Sequence, residues 1–316
     1  MVNQIAAADL SKSTMQKSVC AVTAMLKYAA SKNYITNLPV IQINYPTNIK
    51  KEIAADNNWF TEQERARYEE ECRKTFIPKK YCKYAGQSLL VHDSGFRLLL
   101  LLHTGLRIGE ALALTWDDYD ETSKTLNVSK NLVFTKNGKV IHTPKTTSGK
   151  RLIVLTRPAV EDLHELRSIF EAQTKKIKER KKEELLNATN LYQGEALKEE
   201  QYKIESKYKE ILQNHKYICG GVTFPFGLGA QSGLEQTHRK ICKTIKLQHN
   251  VTIHGLRHTF VTHYYIKHKN DPDFDLALFS RSIGHSNIRT TMEIYARLQI
   301  VETKSTQRSI DDLKDI

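Results

Sequence analysis

Long apolar runs are missing from this 316-residue sequence. The longest, LLLLL at 98–102, is far shorter than the ~18 residues a membrane-crossing helix needs and reads as the interior of a core helix. The opening stretch MVNQIAAADLSKST has no basic-then-apolar signal pattern, so neither membrane insertion nor export is expected, and a cytoplasmic location follows. Cysteine is sparse: Cys20, Cys72, Cys82, Cys219 and Cys242 are odd in number, irregularly spaced and never in a CxxC pair. That argues against a disulfide framework or a zinc site and for reduced thiols. Acidic residues are outnumbered, 35 against 48 Lys and Arg, for a net charge of +13. Such an excess points to a polyanionic partner, nucleic acid first and a membrane surface second. The densest acidic cluster, WDDYDE at 116–121, sits where a helix should give way to a strand and reads as a cap and turn. Two-metal phosphoryl transfer needs clustered carboxylates, so no metal and no cofactor are expected.

What is present is mostly helical. Residues 9–35 repeat apolar side chains at Val19, Val22, Leu26 and Ala29 and read as one or two helices, with Lys12, Lys17, Lys27 and Lys32 around the stripe. Pro39 and Pro46 punctuate an aperiodic stretch, giving an expected linker over 38–57 between a first region, 1–37, and a large domain, 58–300. Thr61 and Glu64 have capping-box spacing and mark the first helix of that domain. Residues 95–114 read as two helices broken at Gly105. From 124 the period changes to that of strands, with turn signals at Asn137-Gly138 and Ser148-Gly149, which predicts one small antiparallel sheet and a hairpin around 143–151. Pro158 opens a further helix, and 171–216, dense in Lys and Glu, reads as a solvated pair of long helices. Residues 233–247 are helical again, and 301–316 form a tail. The expected class is mainly α with a small antiparallel β-sheet, an α+β fold.

Taken singly, the polar residues of interest are ordinary. His254 and Arg257 share a helix face, but such pairs are common on surfaces. Arg107 and Glu110 suit an intrahelical ion pair, Lys145 or Lys150 a hairpin chosen for solubility, and Tyr295 a core position beside Ile288 and Met292. Together they occur in a telling order: HTGLRIGEALALTWDDYD, then the lysine segment, then HGLRHTF, then IGHSNIRTTMEIYARL. Over roughly 59–300 this resembles the tyrosine recombinase (phage integrase) family. The resemblance implies a catalytic set of Arg107, Lys145, His254, Arg257, His285 and Tyr295, with Glu110 orienting an arginine or the backbone. Lys150 is the alternative hairpin lysine and, with Lys12, Lys17 and Lys27, a candidate DNA contact.

Elementary chemistry gives each position a task. A phenol with a pKa near 10 needs a base or a cationic pocket to attack phosphorus. Two arginines present planar, permanently charged forks to the non-bridging oxygens. A histidine can accept the phenol proton and a lysine can protonate the leaving 5′-oxygen. The resemblance further implies double-stranded DNA as partner, a homotetramer on two duplexes, a Holliday junction, room for an accessory directionality factor and a nucleoid-associated location in a bacterial host. It also implies a partial helical core-binding domain at 1–37, lacking the earlier helices, and a C-terminal tail at 301–316 docking in trans. Type IB topoisomerase-like relaxation and non-catalytic DNA binding are the competing readings.

Overall fold

The computed structural model describes residues 12–37, 58–77, 88–136, 138–143, 150–284 and Met292. The expected linker 38–57, Lys145, His285, Tyr295 and the tail 301–316 lie outside the described residues. The chain divides into two compact units, Met1–Asp56 and Asn57–Ile316.

In the first unit a single helix, α1 (Lys12–Ser31), covers the stretch read as one or two. Val19, Val22, Leu26 and Ala29 form its half-buried stripe, whereas Lys17, Lys27 and Lys32 are exposed.

In the second unit, Thr61 caps α2 (Glu62–Arg73). Its hydroxyl accepts the Glu64 N–H at 3.4 Å, and the Glu64 carboxylate accepts the Thr61 N–H at 2.9 Å, closing the box that the spacing suggested. A short pair, β1 (Thr75–Phe76) and β2 (Leu89–Leu90), runs antiparallel. The helix α3 (Gly95–Thr104) follows, with Leu98 through Leu102 all buried. A helix apolar on every side has to be central. α3 packs against α2, against α5 (Arg157–Leu191), and against α7 (Gln231–Thr244) and α8 (Ile253–His268). Its Leu residues join Leu112, Leu126, Leu163, Leu166 and Leu256 in the main core.

Several polar groups are buried with this core, and one of them ties helices together. His103 bridges three helices, Nδ1 lying 2.6 Å from Asp162 on α5 and Nε2 3.1 Å from Glu69 on α2. Burial pulls its pKa down, but hydrogen bonds to Asp162 and Glu69 outweigh that and leave it raised. Burial likewise opposes ionisation of Glu69, yet His103 and Arg65 bring it down to about 2. A histidine whose folded pKa exceeds its unfolded value stabilises fully below about pH 6.5 and loses that effect as pH rises through the folded pKa. Glu69 contributes fully above its unfolded pKa of about 4.3 and loses that effect as pH falls toward about 2. Comparing denaturant unfolding of the wild type with that of His103→Gln should therefore give the largest stability gap between about pH 4.5 and 6.5, shrinking at alkaline pH. A gap independent of pH would show that His103 acts by packing alone.

After α3 come α4 (Ile108–Ala113) and a 3-10 turn, Trp116–Asp118. The acidic cluster there serves caps and turns: Asp118 accepts the Thr115 N–H at 2.8 Å, and Asp120 accepts those of Thr122 and Ser123. The strands depart from expectation. Instead of one sheet, β3 (Tyr119–Asp120), β4 (Thr125–Val128) and β7 (Arg151–Val154) form an antiparallel trio in the order β3-β4-β7, while β5 (Asn131–Thr135) and β6 (Gly138–His142) form a separate hairpin. At the Asn137-Gly138 turn signal β6 pairs back onto β5, while β7 pairs onto β4; of the hairpin expected around 143–151, residues 144–149 lie outside the described residues. Local alternation reveals strands but not partners, and β4 skips a whole hairpin to find β7.

The charged excursion is a helical hairpin, but its first arm begins earlier than the composition suggests. α5 runs unbroken for 35 residues and returns as α6 (Gly194–Asn214). Between the arms lies a second apolar cluster of Ile177, Ala188, Ile204 and Tyr208, joined by Phe226. The short helix α9 (Leu276–Ser282), capped by Asp275, ends the described fold.

Candidate active site

The site forms where the ends of α3, β7 and α9 meet the first turns of α4 and α8. Gly105 terminates α3 in the left-handed region, at φ +64°, and its amide donates to Leu101. A Cβ there would also stand 2.5 Å from the Phe260 ring, so only glycine fits. The sharp stop exposes the Gly105 carbonyl, which accepts a 2.7 Å hydrogen bond from Arg257 Nη1 on α8. Two residues on, Arg107 caps α4 in extended conformation, and its N–H donates to Glu110 at 3.0 Å.

Glu110 is the anionic centre. It accepts Arg107 Nη1 at 2.9 Å and both terminal nitrogens of Arg151, at 3.0 and 2.9 Å. Burial would raise its pKa, but Arg151 first and Arg107 second reverse that and hold it at about 2. Arg107 keeps 40% of its side chain exposed and donates through Nη2 to the Gly284 carbonyl at 2.5 Å. Arg151 is only 6% exposed and also donates from Nε to the Ser282 carbonyl at 2.9 Å.

Arg257 is 2% exposed, and its Nη2 is buried with no hydrogen-bond partner among the described residues. Burial, then Arg107, lowers its pKa to about 9, which leaves it cationic at neutral pH. A buried guanidinium with an unused donor is costly unless an anion completes it. His254 lies one turn before Arg257, on the first turn of α8, which Thr252 caps by accepting the Gly255 N–H. Desolvation comes first in lowering its pKa to about 4, followed by His258, Arg257 and Arg107. The side chain still has an exposed edge, so the cationic surroundings are the firmer cause. His254 is neutral at pH 7 and can accept a proton. Its ring meets that of His258 edge to face, centroids 4.9 Å apart.

Two guanidinium groups thus bond one carboxylate and a third, Arg257, lies within electrostatic reach, a strongly cationic pocket suited to a tetrahedral oxyanion. Of the residues singled out from sequence, Arg107, Glu110, His254 and Arg257 converge here. Lys145, His285 and Tyr295 lie outside the described residues, although His285 directly follows Gly284, which both Arg107 and Arg151 adjoin. Lys150 is exposed beside Arg151. Lys17 and Lys27 are exposed on α1 in the other unit, and the side chain of Lys12 lies outside the described residues.

Arg151 is the site residue that the sequence reading missed. Its one signal was strand alternation: Ile153 is buried, so Arg151 shares the inward face, while Leu152 and Val154 point out at 61% and 77% exposure. Elsewhere in this unit a cavity of about 600 Å³, lined by Arg97 and the glycine-rich stretch 220–229, shares no side chain with the site. Among the described residues no helix is long and apolar enough to cross a membrane, and no cluster of three His, Cys, Asp or Glu could hold a metal ion.

The sequence profile of the phage integrase family matches residues 77–301. The ICEBs1 integrase of Bacillus subtilis (strain 168) is 25% identical over 236 residues, 74% of this chain and 52% of that protein. The transposase from transposon Tn916 of Enterococcus faecalis is 30% identical over 201 residues, 63% of this chain and 41% of that protein. The chain therefore spans about half the length, or less, of these curated relatives. A solved structure of the Tn1549 transposon integrase in complex with a circular intermediate DNA superposes with a TM-score of 0.59 at 16% identity, covering 96% of this chain and 83% of that one. XerH site-specific recombinase bound to a palindromic difH substrate gives 0.54, also at 16% identity, over 94% of this chain and 67% of that one.

Proposed function

Since the chain belongs to the phage integrase family, we propose that its second unit is the catalytic body of a site-specific DNA recombinase of a mobile element. The observation that carries this reading is the donor of Arg257 left unfilled among the described residues, buried near the part-exposed Arg107. One phosphodiester placed there would take hydrogen bonds from both arginines on its non-bridging oxygens, which gain negative charge in the transition state.

The reaction then assigns itself by proton inventory. The hydroxyl oxygen of Tyr295 attacks phosphorus while neutral His254 takes its proton. The P–O5′ bond breaks and the departing 5′-oxygen takes a proton from Lys145. His285 donates to a non-bridging oxygen. The product is a 3′-phosphotyrosyl bond with a free 5′-hydroxyl. When a 5′-hydroxyl of a second duplex attacks, it gives its proton to Lys145, the P–O bond to Tyr295 breaks, the phenol recovers its proton from His254 and the strand is rejoined. Two such exchanges pass through a Holliday junction, which calls for a homotetramer on two duplexes. The tail 301–316 is suited to docking on a neighbouring protomer, and an accessory factor can set direction. Lys12, Lys17, Lys27 and Lys150 are proposed to contact the DNA backbone, with 1–37 acting as a partial core-binding domain, 38–57 as linker and 58–300 as catalytic domain. No step uses a metal, and such a protein would work at the bacterial nucleoid. The related Tn916 and Tn1549 proteins, named as a transposase and an integrase of transposons, support the mobile-element assignment.

A suicide duplex nicked near the scissile phosphate tests this. The wild type is expected to trap a covalent protein–DNA adduct in EDTA, and Tyr295→Phe to trap none. DNA bound without adduct would indicate an inert binder, and supercoil relaxation without strand exchange would indicate topoisomerase chemistry.

A further inference from the structure

Arg151 has no role in the reaction as proposed, yet its guanidinium is held from three directions in the site. Its fork spans both oxygens of Glu110, its Nε holds the Ser282 carbonyl, and its side chain is buried. The turn beneath it is shaped to the guanidinium. Gly284 sits at φ +75°, and a Cβ there would lie 2.7 Å from Arg151 Nη1 and 2.8 Å from its central carbon. Lysine could supply the charge but not the three-pronged geometry.

The consequence concerns Arg107. Glu110 is nearly sealed from solvent and needs cationic partners. With Arg151 in place, the carboxylate is satisfied from two sides, and Arg107 gives it one terminal nitrogen, rests the other on the Gly284 carbonyl and keeps part of its guanidinium exposed. Without Arg151, Arg107 would be the one arginine among the described residues still on the buried carboxylate and would be drawn further into that pair. From this geometry we infer that Arg151 is a positioning residue: it occupies Glu110 so that Arg107 stays available to the scissile phosphate. The inference rests on the recombinase reading given above.

A charge-balance cycle tests it, using the full chain and the nicked suicide duplex at saturating protein. Arg151→Met is expected to slow single-turnover adduct formation about 10²-fold, the typical cost of a misplaced oxyanion donor, with DNA affinity within about threefold of wild type. Adding Glu110→Gln to Arg151→Met removes the charge that would capture Arg107. The double variant is expected to be about tenfold faster than Arg151→Met, although Glu110→Gln alone slows the wild type. A purely structural role predicts instead that the rate simply follows the unfolding midpoint, since Glu110→Gln also relieves the carboxylate that Arg151→Met leaves underpaired. Circular dichroism and the unfolding midpoint of each variant separate folded but slow protein from unfolded protein. A double variant no faster than Arg151→Met would overturn the inference, as would Arg151→Met at wild-type rate. Wild-type protein that binds the duplex but never forms adduct would instead sink the recombinase reading, and this inference with it.

Discussion

Replacing Arg257 by Ala is expected to lower the rate of adduct formation by about 10²–10³-fold while leaving DNA affinity nearly unchanged. The asymmetry follows from its setting. Arg257 is one buried cation in a chain with a net charge of +13, so the wider basic surface still holds the phosphate backbone. The loss appears only when negative charge builds on the phosphoryl oxygens, toward which Arg257 offers Nη2, unpartnered among the described residues. Arg257→Lys should recover little, because an ammonium cannot both hold the Gly105 carbonyl and reach outward. Single-turnover cleavage at saturating protein, set against equilibrium binding of an uncleavable duplex, separates the two quantities. Equal losses in both would place Arg257 in general DNA binding.

Gly105→Ala is expected to be the most damaging small change outside the charged groups. The left-handed backbone at φ +64° costs an L-residue about 1–2 kcal/mol. The added methyl, 2.5 Å from the Phe260 ring, costs about 1–3 kcal/mol more in overpacking. Phe260 can turn a little, so the lower half of the combined range is the sounder expectation. At about 2–4 °C per kcal/mol for a domain of this size, the melting temperature should fall by roughly 5–10 °C. Cleavage should suffer as well, since the displaced carbonyl anchors Arg257. A thermal melt with normal cleavage would show that α8 follows the shift as a rigid body.

Where sequence and structure agree, the determinants are local. The capping box at Thr61, the all-apolar α3 and its stop at Gly105 each depend on residues within one or two turns of one another. The four converging residues Arg107, Glu110, His254 and Arg257 were legible only as ordered motifs, because no local property marks any of them. Distant partnerships were not legible. Nothing in the LLLLLHT run announces that His103 will meet Asp162, 59 positions later, or that β4 will pass over a hairpin to pair with β7. Arg151 was hidden by its neighbours, two of which are apolar yet face solvent, so hydrophobicity gave the strand no readable inside. The long arm α5 was divided because its composition turns from apolar to charged, although its helical geometry never changes.

That unbroken arm has a mechanical meaning. At 1.5 Å per residue, its 35 residues make a rod roughly 50 Å long. Its root is set among the side chains of α3 and its far half is stiffened by α6. A load at the outer end would reach the root as torque and pass through Asp162 and His103 to α3, the helix that stops at the Gly105 carbonyl.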